Sequence, residues 1–428
     1  MIIKSNFLKP VEGRTMSFLE NYFLETDDAG NIKYFGKEED VISVFQNREI
    51  IDMTDKVIIP GLIDLHTHIP QYPALGIGTG TLLEWLENYI FPQEIKFNNP
   101  EYAFHLSKKF FDDCIKFGTT TVTAYSNSSY EGTESAFKAA DESGIRAFIG
   151  MSLMDMNVPE SLKKDTESNI IDTLKLIKKW HGENSGMLKY IITPRYALIC
   201  SERLMRLAGD IARETGLFIQ THLAENREEL RQIYRAYPDY NTYTDIYDKA
   251  GLITRKSIFA HCIYLSDYEI ELIKDNAGNI VHCPSSNRYL KSGVFPFRKM
   301  SSIIKTGIGT DVAGGTSLSM LSEIKEAIET DKTYQIIEGL EKDNLSPCEA
   351  LWTATKGNAE ILCIDYETGD FETGLSADLV AFKFDRFGLT IESLNSEAIA
   401  GKLVYQLGNC FADDVFIKGK LVFGNKII

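Results

Sequence analysis

The sequence lacks a disulfide framework. Its seven cysteines (Cys114, Cys200, Cys262, Cys283, Cys348, Cys363 and Cys410) are odd in number and widely spaced, and none sits in a CxxC pair. That excludes a cystine scaffold and a thiolate zinc cluster and fits a reducing cytoplasm. Long apolar runs are also missing. No stretch approaches the ~20 residues that span a bilayer, and the segment from Met1 to Phe7 shows no apolar core of a signal peptide. Basic stretches are equally scarce: 61 acidic against 45 basic residues give a formal net charge of -16. Such a chain is a poor match for nucleic acid or an anionic membrane surface. A GxGxxG turn after an early strand is absent, which counts against a nucleotide-binding doubly wound sheet. The P-C-x-x-C string that accompanies H-x-E in the cytidine-deaminase type of zinc fold is absent as well.

What is present is alternation. The middle of the chain carries β-rich apolar runs at 62–66, 119–124, 145–151, 190–194, 217–222, 257–261, 279–282 and 307–311. Helical patterns fill 102–117, 135–142, 170–180, 202–214, 227–236, 266–274 and 300–305. Strict strand–helix alternation argues for parallel strands with crossover helices. Eight such units over this length match a (β/α)8 TIM-type barrel, with an open doubly wound sheet as the alternative. Short strands also occur at both chain ends, with turn clusters at Asp28-Ala29-Gly30-Asn31 and Lys418-Gly419-Lys420. The expected architecture is an α/β barrel over residues 58–365 with a small β-sandwich domain built from both termini, residues 1–57 and 366–428.

Chemistry collects at the ends of these runs, where functional residues of such barrels sit. Pro60-Gly61-Leu62-Ile63-Asp64-Leu65-His66-Thr67-His68 ends in two histidines two residues apart, on one face of a strand. Neutral imidazoles aimed at one point suit zinc and its neighbours. Further strands end in Arg195, His222, His261, His282 and Asp311. Glu225 follows His222 by three residues, where a carboxylate can carry a proton from an activated water to a leaving group. A helix-capping glutamate is its plain alternative. An aspartate leaving a buried strand needs a partner or a metal, and Gly307 and Gly309 beside Asp311 permit close backbone approach. Three histidines and a carboxylate with one position left to water describe a catalytic site. The reaction class is hydrolysis or hydrolytic deamination. His282 is read equally as a structural histidine bonding backbone.

The strings Pro60–His68, Thr221-His222-Leu223-Ala224-Glu225, His261 and Gly309-Thr310-Asp311 resemble the amidohydrolase superfamily. Further strings resemble its guanine-deaminating branch: Pro70-Gln71-Tyr72, the run from Leu82 to Pro92, Pro194-Arg195-Tyr196-Ala197, the run from His282 to Asn287, and the run from Gly309 to Leu321. The resemblance implies one divalent metal, zinc before iron, held by His66, His68, His222 and Asp311. The lysine that bridges two metals in related enzymes has no counterpart at the end of the fourth strand, which reads Thr193-Pro194-Arg195. Glu225 would shuttle the proton, His261 would orient the attacking hydroxide, and Asp311 would both touch the metal and accept a proton. Gln71, Arg195 and Tyr196 match positions that bind the purine, with Tyr196 standing where phenylalanine is usual. The plain alternatives are a loop amide for Gln71 and a barrel-rim salt bridge for Arg195, and Trp85 and Phe91 read as packing for the loop over the site. The resemblance also implies conversion of guanine to xanthine and ammonia by a homodimer. Alternatives are action on another aminated heterocycle and, more remotely, a non-catalytic scaffold.

Overall fold

The computed structural model describes residues 1–37, 45, 48–78, 80–341, 343–385 and 395–424. Four strands open the chain: β1 (Ile2–Val11), β2 (Thr15–Thr26), β3 (Ile32–Lys37) and β4 (Ile51–Pro60). Ten barrel strands follow: β5 (Leu62–His68), β6 (Thr119–Tyr125), β7 (Arg146–Gly150), β8 (Ser152–Leu153), β9 (Leu188–Tyr190), β10 (Thr193–Pro194), β11 (Ile219–Leu223), β12 (Ser257–His261), β13 (Asn279–His282) and β14 (Thr306–Ile308). The last three are β15 (Leu379–Lys383), β16 (Asp414–Ile417) and β17 (Lys420–Phe423).

The barrel strands pair parallel in the orders β5-β6-β7-β9, β8-β10 and β11-β12-β13-β14. Two seams close the ring. At one, Ile192 donates to the Phe218 carbonyl and accepts from the Gln220 amide, both at 2.9 Å. At the other, the Asp311 amide donates to the His66 carbonyl at 2.7 Å and the His68 amide to the Val312 carbonyl at 3.1 Å. The second seam requires close approach. A Cβ on Gly309 would lie 2.7 Å from the His66 nitrogen, so only glycine fits there. Asp64 fastens the same seam by accepting from the amide and hydroxyl of Thr310, at 2.9 and 2.5 Å.

Strands β5 to β7 and β12 to β14 are buried along nearly their whole length. That is why they read as apolar runs and not as alternating ones. The two-residue period still divides β5: Ile63 and Leu65 pack with Ile258, Ala260, Val281 and Ile361, while His66 and His68 share the opposite face.

Strands from both termini form one seven-stranded sheet in the order β17-β16-β15-β4-β1-β2-β3. Phe7, Leu24, Ile58, Leu379 and Phe416 form part of its core. Gly30, at φ +84°, turns β2 into β3 with its Cα against the Lys418 carbonyl, where a Cβ would clash. The fourth predicted run, 190–194, divides into β9 and β10, and the eighth ends as a strand at Ile308, with Asp311 in the loop beyond.

Candidate active site

The strand ends converge. The Nε2 atoms of His66 and His68 each lie 3.2 Å from Asp311 Oδ1, and His68 Nε2 lies 3.3 Å from His222 Nε2. All four side chains are buried or nearly so. A tetrahedron with metal–nitrogen arms of about 2.0–2.1 Å has edges of about 3.3 Å, which these separations match. The donor chemistry fits as well. His222 Nδ1–H donates to the Arg195 carbonyl at 2.9 Å, which leaves the Nε2 lone pair facing His68. His66 Nε2 is fully buried with no hydrogen-bond partner, an orphaned atom that a metal would satisfy. The residues present therefore fit a divalent ion. His66, His222, His261 and Asp311 also have ligand atoms within 4.8 Å of one another, so His261 borders the same point.

Burial pushes His68 down to about 3. Burial and the neighbouring histidines hold His222 well below the usual range. Both rings are thus neutral, the form that binds metal. Burial pushes the Asp311 carboxyl up, but its contacts with His66 and His68 outweigh that and hold it well below the usual range. Three residues here adopt left-handed backbone without being glycine: Ala224 at φ +51°, His261 at +71° and Asp311 at +49°. Each costs on the order of 1–3 kcal/mol, a strain that gathers at functional sites.

Glu225 stands beside this cluster. Its Oε2 is 3.5 Å from His261 Nε2, and its Oε1 accepts from the Ser292 hydroxyl at 2.8 Å. It caps no helix. Asn226 caps the helix Arg227–Ala236, with Glu229 completing the capping box. Burial first, and then the Asp311 charge, push Glu225 up to about 8. A carboxyl whose proton affinity sits near neutrality is suited to carrying one. His261 donates from Nδ1 to Asn287 Oδ1 at 2.8 Å, so its Nε2 faces Glu225 and Asp311 with a lone pair. Asn287 Nδ2 in turn donates to His282 Nδ1 at 3.4 Å. His282 stacks on Phe295 with ring centroids 4.6 Å apart, which places it behind His261 and away from the reacting point.

A cleft opens over the cluster, lined by His68, Asp311, Glu225, Gln71, Arg195 and Tyr196 among others. Gln71 and Arg195 meet on one carboxylate that the sequence reading missed. Glu94 accepts from Gln71 Nε2 at 3.0 Å and from Arg195 Nη1 at 2.5 Å. It lies in the short helix Phe91–Ile95, one residue pair beyond the string that carried the resemblance. Nothing in its local pattern separates it from a solvated helix glutamate. Ser292 and Glu229 were missed for the same reason, while Asn287 stood in a resembling string without a role. Phe91 sits under the Arg195 guanidinium, 5.7 Å from ring centroid to Cζ. Tyr196 borders the cleft, and burial pushes its hydroxyl up. Trp85, Leu82 and Leu86 line the cleft from the loop side, and the Trp85 indole donates to the Ile77 carbonyl at 2.9 Å.

The amidohydrolase family model matches residues 57–422. Guanine deaminase of Mus musculus is 33% identical over 99% of this chain and 96% of its own. Guanine deaminase of Escherichia coli K12 is 32% identical over 92% of this chain and 89% of its own. Among solved structures, guanine deaminase from C. acetobutylicum with guanine bound in its active site superposes with a TM-score of 0.91 at 32% identity, covering 99% of each chain.

Proposed function

The chain belongs to the amidohydrolase family, and from that premise we propose that it hydrolyses guanine to xanthine and ammonia. The observation that carries the reading is the two-sided cleft. Glu225 and the histidine cluster form one wall, and the hydrogen-bond donors of Gln71 and Arg195 form the other. The near full-length similarity to guanine deaminases supports the substrate.

His66, His68, His222 and Asp311 would hold one divalent ion, read as zinc, with iron suited to the same donors. When bound, the ion lowers the pKa of water toward neutrality and so supplies hydroxide. The protein does the rest. Arg195 and Gln71 hold the base by its O6/N7 edge, where guanine presents acceptors. Tyr196 borders it. His261, its tautomer fixed by Asn287, orients the attacking oxygen at C2. Glu225 and Asp311 take up protons from the water. Glu225 returns one to the ring nitrogen beside C2, and the tetrahedral adduct then breaks its C2–N bond as the amino group leaves with a second proton as ammonia. By the same resemblance the enzyme is read as a cytoplasmic homodimer. All seven cysteines are free thiols, which suits that compartment.

The test is product release from guanine by metal-loaded protein, with adenine, cytosine and guanosine in parallel. Stoichiometric xanthine and ammonia from guanine alone is the expected result. Release from a different aminated ring, with guanine inert, would move the assignment to a sister deaminase.

A further inference from the structure

We propose that Glu94 is the positioning residue of the base-holding wall. Its one carboxylate orders both Gln71 and Arg195 and cancels the arginine's charge, so the cleft selects a neutral oxo-purine over an anionic one. This rests on the guanine reading above and deepens it.

The geometry carries the inference. Glu94 is 2% exposed and Arg195 is likewise 2% exposed. A carboxylate only accepts hydrogen bonds. The bond from Gln71 Nε2 at 3.0 Å therefore fixes which end of the carboxamide faces Glu94. At the other end Gln71 Oε1 accepts from the Ala313 amide at 3.3 Å, so both ends of the side chain are clamped. One N–H and one lone pair remain for a ligand. Arg195 gives Nη1 to Glu94 at 2.5 Å, and Phe91 supports its plane from below. Among the described residues, no carboxylate or carbonyl other than Glu94 takes the guanidinium's hydrogens. Nη1 also reaches the Met154 sulfur at 3.7 Å, and Arg195 lines the cleft, where hydrogens not given to Glu94 or Met154 can serve as donors. Donors match the O6/N7 edge of a 6-oxopurine and oppose the N6 amino group of a 6-aminopurine. The buried pair has no net charge, so an anionic ligand gains no free cation there and still loses its hydration.

The experiment compares metal-loaded wild type with Glu94→Gln and Glu94→Asp, reading kcat and KM for guanine and inhibition by xanthine below and above its first ionisation. A glutamine at 94 must turn its amide nitrogen toward one of two donors, and it leaves Arg195 uncompensated. The expected result is a KM for guanine raised about 10- to 100-fold with kcat changed far less. Xanthine inhibition should weaken on ionisation in wild type and strengthen in Glu94→Gln, reversing the preference. Glu94→Asp keeps the charge but shortens the reach, so KM should rise while the preference for the neutral form stays. A merely structural role would lower kcat and stability together and leave the preference unmoved, which would overturn the proposal. Should Glu94→Gln fail to fold, wild-type protein that binds ionised xanthine more tightly than neutral xanthine overturns it without any variant. Absence of guanine turnover by loaded wild type is a separate failure, of the underlying reading, and would remove this inference with it. Wild-type turnover with an unchanged KM in Glu94→Gln falls on Glu94 alone.

Discussion

Two buried glutamates serve one cleft, Glu225 from its lining and Glu94 from behind Gln71 and Arg195, and their surroundings differ. Glu94 is 2% exposed and Glu225 4%. Glu94 has a cation and an amide as partners. It is the acceptor that Gln71 and Arg195 are arranged around. Glu225 has Asp311 nearby and only a serine hydroxyl in support, and burial with that neighbour pushes it up to about 8. Its proton is therefore mobile near neutrality. On the proposed reading, environment alone separates two carboxyl groups of one residue type into a scaffold and a proton carrier. On that reading one side of the cleft recognises and the other reacts, so each should break without the other.

The largest effect is expected on the reacting wall. Glu225→Gln removes the proton carrier and should lower kcat by about 10²- to 10⁴-fold, with metal content by atomic absorption unchanged. Turnover near wild type would end that assignment. Next comes the metal. Chelation should lower the unfolding temperature as well as activity, because an ion bound to the folded state alone stabilises it by about 2.7 kcal/mol at a hundred times its Kd. Restoring zinc should recover both, and a melting curve indifferent to chelation would argue against a shared ion among these histidines. On the recognising wall, Arg195→Ala should raise KM for guanine by tenfold or more, about 1.5–3 kcal/mol for bonds to a charged group. Circular dichroism should stay native, and an unchanged KM would refute the binding role. The smallest effect sharpens the picture of Glu225. The Ser292 bond lowers its pKa, so Ser292→Ala should raise it further. Activity that needs the ionised carboxylate should then shift its acidic limb to higher pH by somewhat under one unit, about 1 kcal/mol. A shift toward lower pH would contradict the assignment.

Much of this was legible in the sequence, for a physical reason. A parallel barrel buries its strands on both faces, so each announces itself as an apolar run, and seven of the eight expected runs end within two residues of the end of an observed strand. Functional side chains of such barrels sit at those ends, and the proposed site residues His66, His68, His222 and His261 fall where the pattern stops. Asp311 was found through its Gly309-Thr310 approach and lies three residues past β14. The supporting residues were not legible. Glu94 is 101 residues from Arg195 along the chain, and Ser292 is 67 from Glu225. No periodicity links such pairs, because loop geometry alone brings them together. His282 was ambiguous in the sequence, and its stacking on Phe295 and bond from Asn287 place it in a layer behind the reacting groups.

The measurement that tests the separation of the two walls most directly is calorimetric titration of guanine into metal-loaded Glu225→Gln. With the recognising wall intact, binding within a few-fold of the wild-type KM and no xanthine formed is the expected result. Loss of binding in that variant would show that Glu225 holds the base as well as the proton, and the division of labour between the two glutamates would not stand.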